Sequence, residues 1–171
     1  MNPKVNIILE DGRSIKVTLY PEYAPLSVEN FLKHVDNKMF DGVIFHRVIA
    51  NFMIQTGAYY INKDYALDQK EALSTVKGEF LSNGVNNTLI HELGVISMAR
   101  TSDKNSGSNQ FFLCSTTCPH LDGEYAAFGK AEDDESKKVI LDISLVETCA
   151  PHPAFRDFPV EPIIIKTIER M

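Results

Sequence analysis

Phe45-His46-Arg47-Val48-Ile49-Ala50-Asn51-Phe52-Met53-Ile54-Gln55-Thr56-Gly57 places one permanent cation inside an otherwise apolar run. A guanidinium stays protonated and carries its five N–H donors in a fixed fork. An Arg between Phe45 and Val48 therefore either snorkels outward or faces a polar cavity that uses those donors. Ala50-Asn51-Phe52 interrupts two short apolar runs, which reads as strand, tight connection, strand. Strict alternation after the connection puts Phe52, Ile54 and Thr56 on one face and Met53 and Gln55 on the other. A bulge or bend is needed to bring Phe52 beside Met53 and Gln55.

The surrounding chain has 171 residues, 44% of them apolar, which suits one folded domain over residues 1–171. A domain of that size buries roughly 70% of the surface its unfolded chain exposes. Seventeen Lys and Arg against 23 Asp and Glu leave a net charge of -6. That balance offers no general attraction to phosphate backbones or anionic membranes, so neither nucleic acid nor a membrane is the expected partner. Met1-Asn2-Pro3-Lys4-Val5-Asn6 lacks a basic stretch followed by an apolar core, and no run approaches the length of a membrane span. The expectation is a cytoplasmic protein.

Cys114, Cys118 and Cys149 cannot all pair within the chain and do not describe a disulfide scaffold. Cys114, Cys118 and His120 lack the paired knuckles of a zinc motif, so neither metal nor cofactor is expected. Cys114 continues the apolar Phe111-Phe112-Leu113 run, while Cys118 lies in a polar stretch and is expected to be the more accessible thiol.

Residues 4 to 10 and 14 to 20 flank Asp11-Gly12 and form an antiparallel hairpin. Val28, Phe31, Leu32 and Val35 make a helical stripe within residues 24–37, and His34 is read as a surface or boundary residue. Residues 58–92 read as a long excursion with a short helix near Asp68 to Leu73 and with Glu71, Glu79 and Glu92 on the solvated surface. Val95 to Ala99, Gln110 to Cys114 and Tyr125 to Phe128 read as strands. The polar loop from Arg100 to Asn109 suits a groove rim that offers backbone donors and acceptors to an extended peptide. A second helix from Asp134 to Ile143, buried through Val139, Ile140, Ile143 and Leu145, precedes a β-branched final strand from Ile163 to Ile168. The count, about eight strands and two helices with hairpin-scale connections, describes an all-β antiparallel architecture. There is no G-x-S-x-G elbow, no H-E-x-x-H and no recognisable His/Cys nucleophile pair.

The opening stretch resembles the signature of cyclophilin-type peptidyl-prolyl isomerases. So do Leu93 to Thr101, Gly107 to Leu113, Leu121-Asp122-Gly123 and Ala127-Phe128-Gly129-Lys130, in the same order from about residue 4 to the C-terminus. Val76 to Phe80 and the pair Arg100-Thr101 resemble the bacterial-type branch more than the animal cytosolic one. The resemblance implies a closed eight-stranded antiparallel barrel capped by two helices, with a substrate groove on its outside. It implies an enzyme that turns X-Pro bonds in peptides and unfolded or flexible protein segments. Arg47 matches the catalytic Arg, and Gln55 matches the residue that orients it and bonds substrate backbone. Phe52, Met53, Phe112 and Leu121 match the walls of the proline pocket. Ala99, Arg100, Thr101 and Gln110 match the peptide groove, and His46 a structural scaffold. Two positions depart from the pattern: His120 stands where animal relatives have Trp, and Tyr125 where they have a pocket-lining His. The first departure implies weak binding of cyclosporin. A proline-peptide binding module with little catalysis is the alternative reading.

Overall fold

The computed structural model describes residues 1–171. Eight strands form the main sheet: β1 (Lys4–Leu9), β2 (Ser14–Leu19), β3 (Arg47–Ile49), β4 (Met53–Thr56), β5 (Val95–Met98), β6 (Phe111–Cys114), β7 (Ala127–Lys130) and β8 (Ile165–Arg170). Their spatial order is β8-β1-β2-β7-β5-β6-β4-β3, every pair antiparallel. The sheet curls around a core of 30 buried residues that includes Ile7, Val17, Phe31, Ile54, Ile96, Phe111, Leu113 and Phe128.

The closed barrel expected from the resemblance is corrected in one respect: β3 and β8, the two ends of the order, share no ladder. The gap is crossed beside them by irregular backbone. The amide of Phe45 donates to the Ile163 carbonyl (3.0 Å), and that of Ile165 to Val43 (2.8 Å). Pro162 and the bend at Asp41-Gly42 keep these segments from extending as regular strands, so the edges are covered without a continuous ladder.

Helix α1 (Pro25–Asp36) starts on a proline whose missing N–H costs nothing there, and it buries Val28, Phe31, Leu32 and Val35 against the sheet. Its first turn is held by Glu79, whose carboxylate accepts from the amides of Leu26 (3.2 Å) and Ser27 (2.6 Å) and from the Ser27 hydroxyl (2.8 Å). Glu79 is thus a buried helix anchor and not the solvated acid expected from its neighbourhood. His34 is likewise buried. Its Nδ1 donates to the Asn30 carbonyl (2.8 Å) and its Nε2 accepts from the Leu73 amide (3.1 Å), which makes it a neutral link between helix and excursion. Helix α2 (Asp134–Ser144) buries Val139, Ile140 and Ile143, but it ends one residue before Leu145, which lies exposed.

No helix forms at Asp68 to Leu73. Tyr59–Ile61 pairs with Leu67–Gln69 as a small hairpin instead. Asn62 accepts from the amides of Asp64 and Ala66, and Tyr65 takes a positive φ of 59°. That side-chain-closed turn lets the β-forming Tyr-Tyr-Ile run find a partner strand. No helix of the structure is long and apolar enough to cross a membrane.

Candidate active site

β5 and β6 are buried at all four positions, because each face of the sheet here carries its own apolar layer. Ile96, Met98, Phe111 and Leu113 point into the barrel. Val95, Phe112 and Cys114 join Met53, Cys118, Leu121 and Ala127 in a second cluster on the outside, with Phe52, Ala99 and Tyr125 packed against it. That outer cluster is the bed of the candidate site.

Arg47 opens β3 directly opposite Gln55 of β4, and Gln55 in turn lies opposite Phe112 of β6. Three strands therefore set cation, amide and aromatic ring in one row across the outer face. Asn51, with φ of 59°, makes the left-handed bend between β3 and β4. This is the irregularity that alternation required, since it sets Phe52 on the same side as Met53 and Gln55. The resulting cleft is lined by Arg47, Phe52, Met53, Gln55, Ala99, Arg100, Phe112, Leu121 and Tyr125.

Arg47 donates to Gln55 Oε1 (3.3 Å), and Gln55 Nε2 donates to Gln110 Oε1 (2.9 Å). Gln110 therefore acts from behind, fixing the amide that orients the guanidinium. Arg47 makes no ion pair, so most of its donors remain open to the cleft. Its Cζ lies 6.0 Å from the Phe52 ring centroid. Tyr125 meets Phe112 edge-on, the centroids 5.8 Å apart.

Besides Gln110, three expected groove residues lie outside this lining or present less than the resemblance implied. Arg100 spends its guanidinium within the protein: Nε and Nη2 donate to the Glu124 carbonyl (3.1 and 2.8 Å) and Nη1 to that of Thr101 (2.9 Å). It is also stacked between Phe80 (5.0 Å) and Tyr125 (4.6 Å), so it stiffens the wall. Thr101 is exposed on the loop, its amide and hydroxyl both tied to Ser106. His120 lies exposed on a short 3-10 turn (Pro119–Leu121), tilted against Phe52 at 5.5 Å.

Sequence reasoning missed His91. It is fully buried, its ring lies almost parallel to Phe112 (6.0 Å, 18°), and it joins Asp122 (Nδ1 to Oδ1, 2.9 Å) to Ser97 (Nε2 to Oγ, 2.8 Å). The order Ser-His-Asp is that of a nucleophile triad, but Ser97 is wholly enclosed and reaches no substrate. The trio instead braces the floor of the pocket from beneath. A single His before Leu93-Gly94-Val95 carried no local pattern that could announce it.

Cys118 is buried, against expectation, its thiol directed at the Phe52 carbonyl. Burial pushes the pKa of the Cys114 and Cys118 thiols up, which disfavours the thiolate at both. His46 is buried and edge-on to Tyr59 (4.7 Å), with no hydrogen-bond partner for its Nδ1. Burial, and secondarily the Arg47 charge, push its pKa down to about 4. His34 and His91 are lowered in the same direction, chiefly by burial. Each imidazole is neutral in the folded state at pH values where the unfolded chain already binds a proton. The imidazole contribution to stability should therefore fall as pH drops below about 6.5, and the His46 part of it is fully lost below about 4. For His46 alone the loss is on the order of 3 kcal/mol. Urea unfolding at pH 7 and pH 4.5 checks this, and His46→Gln should flatten the acid limb.

A curled eight-strand antiparallel sheet with two helices, bearing this cleft on its outer face, has the cyclophilin fold. The chain belongs to the cyclophilin-type peptidyl-prolyl cis-trans isomerase family, whose model matches residues 4–170. It is 37% identical over 166 residues to the peptidyl-prolyl cis-trans isomerase A of Dickeya dadantii, covering 94% of this chain and 81% of the relative. It is 39% identical over 123 residues to the isomerase B of Bacillus subtilis, covering 72% and 79%. Among solved structures, a cyclophilin-type isomerase of Cryptosporidium parvum superposes with a TM-score of 0.79 at 25% identity over 100% of this chain and 98% of that one. A second structure of that protein, determined in the presence of the dipeptide Ala-Pro, gives a TM-score of 0.75 at 27% identity, covering 96% of each chain. The protein is thus an isomerase of the cyclophilin family, with bacterial enzymes among its relatives.

Proposed function

We propose that the chain rotates X-Pro bonds in peptides and flexible protein segments, with Arg47 as the donor that stabilises the twisted amide. The observation that carries this is a guanidinium free of any carboxylate, held by Gln55 and Gln110 at the lip of a slot formed by Phe52, Met53, Phe112 and Leu121. A planar peptide bond resists rotation by about 20 kcal/mol because nitrogen donates its lone pair to the carbonyl. At the twisted state that pair is localised on nitrogen and becomes a hydrogen-bond acceptor. A cationic donor aimed at it stabilises the transition state more than either planar ground state, the condition for catalysis. The slot suits a pyrrolidine ring, which has no donor to satisfy. No proton or electron passes to a protein group. Arg100, the other cation of the cleft, is already committed to carbonyls and rings and does not compete for this role.

Arg47→Lys tests the assignment, because Lys keeps the charge and loses the planar fork. Turnover of an Ala-Pro peptide should fall at least tenfold while the fold is retained. A Lys variant as active as wild type would show that charge alone, or another group, does the work.

The ligand surface at His120 carries a second expectation. Cyclosporin should bind weakly, because an exposed imidazole against Phe52 offers less apolar area than an indole and a different donor geometry. His120→Trp should tighten binding, as read by calorimetric titration. Nanomolar affinity in the wild type, or no gain in the variant, would overturn this reading of the position.

A further inference from the structure

A second cleft of about 400 Å³ adjoins the first and shares Arg47 and Gln55 with it. Its other walls are His46, Tyr59 and the loop residues Pro153, Ala154, Phe155, Arg156 and Asp157. The loop is pinned in place. The Val48 amide of β3 donates to the Asp157 carbonyl (2.8 Å), and a short hairpin pairs Thr148–Cys149 with Phe158–Pro159 behind it. Phe155 stands edge-on to Tyr59 (5.1 Å, 90°) and to Phe158 (5.9 Å, 82°). Arg156 is therefore presented by anchored backbone.

The electrostatics of this cleft run against those of the chain. Neither Arg47 nor Arg156 forms an ion pair, and Asp157, the one carboxylate in the lining, is paired with neither. His46 adds no charge near neutral pH, because its enclosure holds it in the neutral form. Two unpaired guanidiniums against one carboxylate leave a local positive excess in a protein of net charge -6. A positive excess of this kind favours a carboxylate, which can accept from the Arg156 fork and is planar enough to lie between the aromatic walls of Tyr59 and Phe155.

We propose that this cleft receives an acidic side chain of the bound peptide, carried by a residue one or two positions from the proline on the side of Arg47 away from Ala99 and Tyr125. The inference rests on the reading of the first cleft as the proline pocket. A chain whose ring sits among Phe52, Met53, Phe112 and Leu121 and whose amide lies over Arg47 enters the second cleft as it continues past the guanidinium. At about 3.3 Å per extended residue, the next one or two side chains are the ones within reach. The cleft would thus make the enzyme select among X-Pro segments by the charge beside the proline.

The test uses peptides with a single proline and one Glu or one Gln placed in turn at each of three positions on either side. Affinities are read by NMR titration, and interconversion rates are taken from the same samples. Glu should bind at least fivefold tighter than Gln at one or two adjacent positions on one side of the proline only. The ratio should fall below twofold in Arg156→Ala, and Arg156→Glu should prefer Lys over Glu at those positions. A ratio near one at every position in the wild type, or one that survives Arg156→Ala, would overturn the subsite. Charge selectivity at those positions without any acceleration of interconversion would support the subsite while sinking the catalytic reading of Arg47.

Discussion

Arg47→Ala is expected to lower kcat/KM for an X-Pro peptide at least tenfold, with peptide affinity changed much less. Tenfold corresponds to ~1.4 kcal/mol of transition-state stabilisation, a modest demand on a donor that strengthens as the amide twists. The substitution should be benign for folding, because Arg47 is exposed, makes one hydrogen bond to Gln55 and anchors no ion pair. A fall in turnover therefore reports chemistry and not collapse. Gln55 will lose its partner, but it keeps Gln110, so the row of side chains across β3, β4 and β6 should remain ordered. Steady-state kinetics beside a thermal melt separates these quantities. A variant with wild-type kcat/KM would remove Arg47 from the mechanism.

Phe112→Ala should damage binding, turnover and stability together. The ring is 5% exposed, stacks on His91 and meets Tyr125 edge-on, so truncation empties the floor of the pocket and strips a contact from each neighbour. Removing a buried Phe typically costs about 3–5 kcal/mol. In a protein of this size the lower figure shifts Tm by roughly 6–12 °C. KM should rise and kcat/KM fall at least tenfold, in contrast with Arg47→Ala, where affinity is largely kept. Phe112→Leu guards against an unfolded variant: it preserves most of the volume but loses the flat face, and should weaken peptide binding with a smaller change in Tm. Unaltered affinity in Phe112→Leu would place the ring of the substrate elsewhere.

Much of this site was legible because its parts obey local rules. Arg47 and Gln55 are eight residues apart around a tight connection, so antiparallel pairing sets them side by side, and Asn51 is the residue type that tolerates the bend Phe52 required. The helices were readable from their apolar stripes, although the stripe of α2 was carried too far, to an exposed Leu145. What stayed hidden depends on contacts between distant segments. Glu79 reads as an ordinary surface acid until the start of α1 is folded over it, 52 residues away from Ser27. His91 acquires its place only when Asp122, 31 residues on, meets it beneath Phe112. The wall at Phe155 to Asp157 follows from a backbone bond to Val48 that no periodicity predicts. Phe111-Phe112-Leu113-Cys114 reads as one buried run, yet its residues serve two clusters on opposite faces of the sheet. A continuous ladder around the ring was implied by the resemblance alone, and whether the first and last edges run straight enough to share one depends on the same kind of distant contact.

Acceleration of rotation separates this cleft from one that only holds proline. Exchange NMR on a short Ala-Pro peptide measures binding and cis/trans interconversion in one sample, before and after addition of substoichiometric protein. Wild type should produce exchange between the cis and trans resonances on a timescale far shorter than the tens of seconds of the free bond, and Arg47→Ala should bind the peptide with that exchange reduced at least tenfold. Peptide binding by the wild type with interconversion left at the free rate would contradict the account and identify a passive proline-binding module.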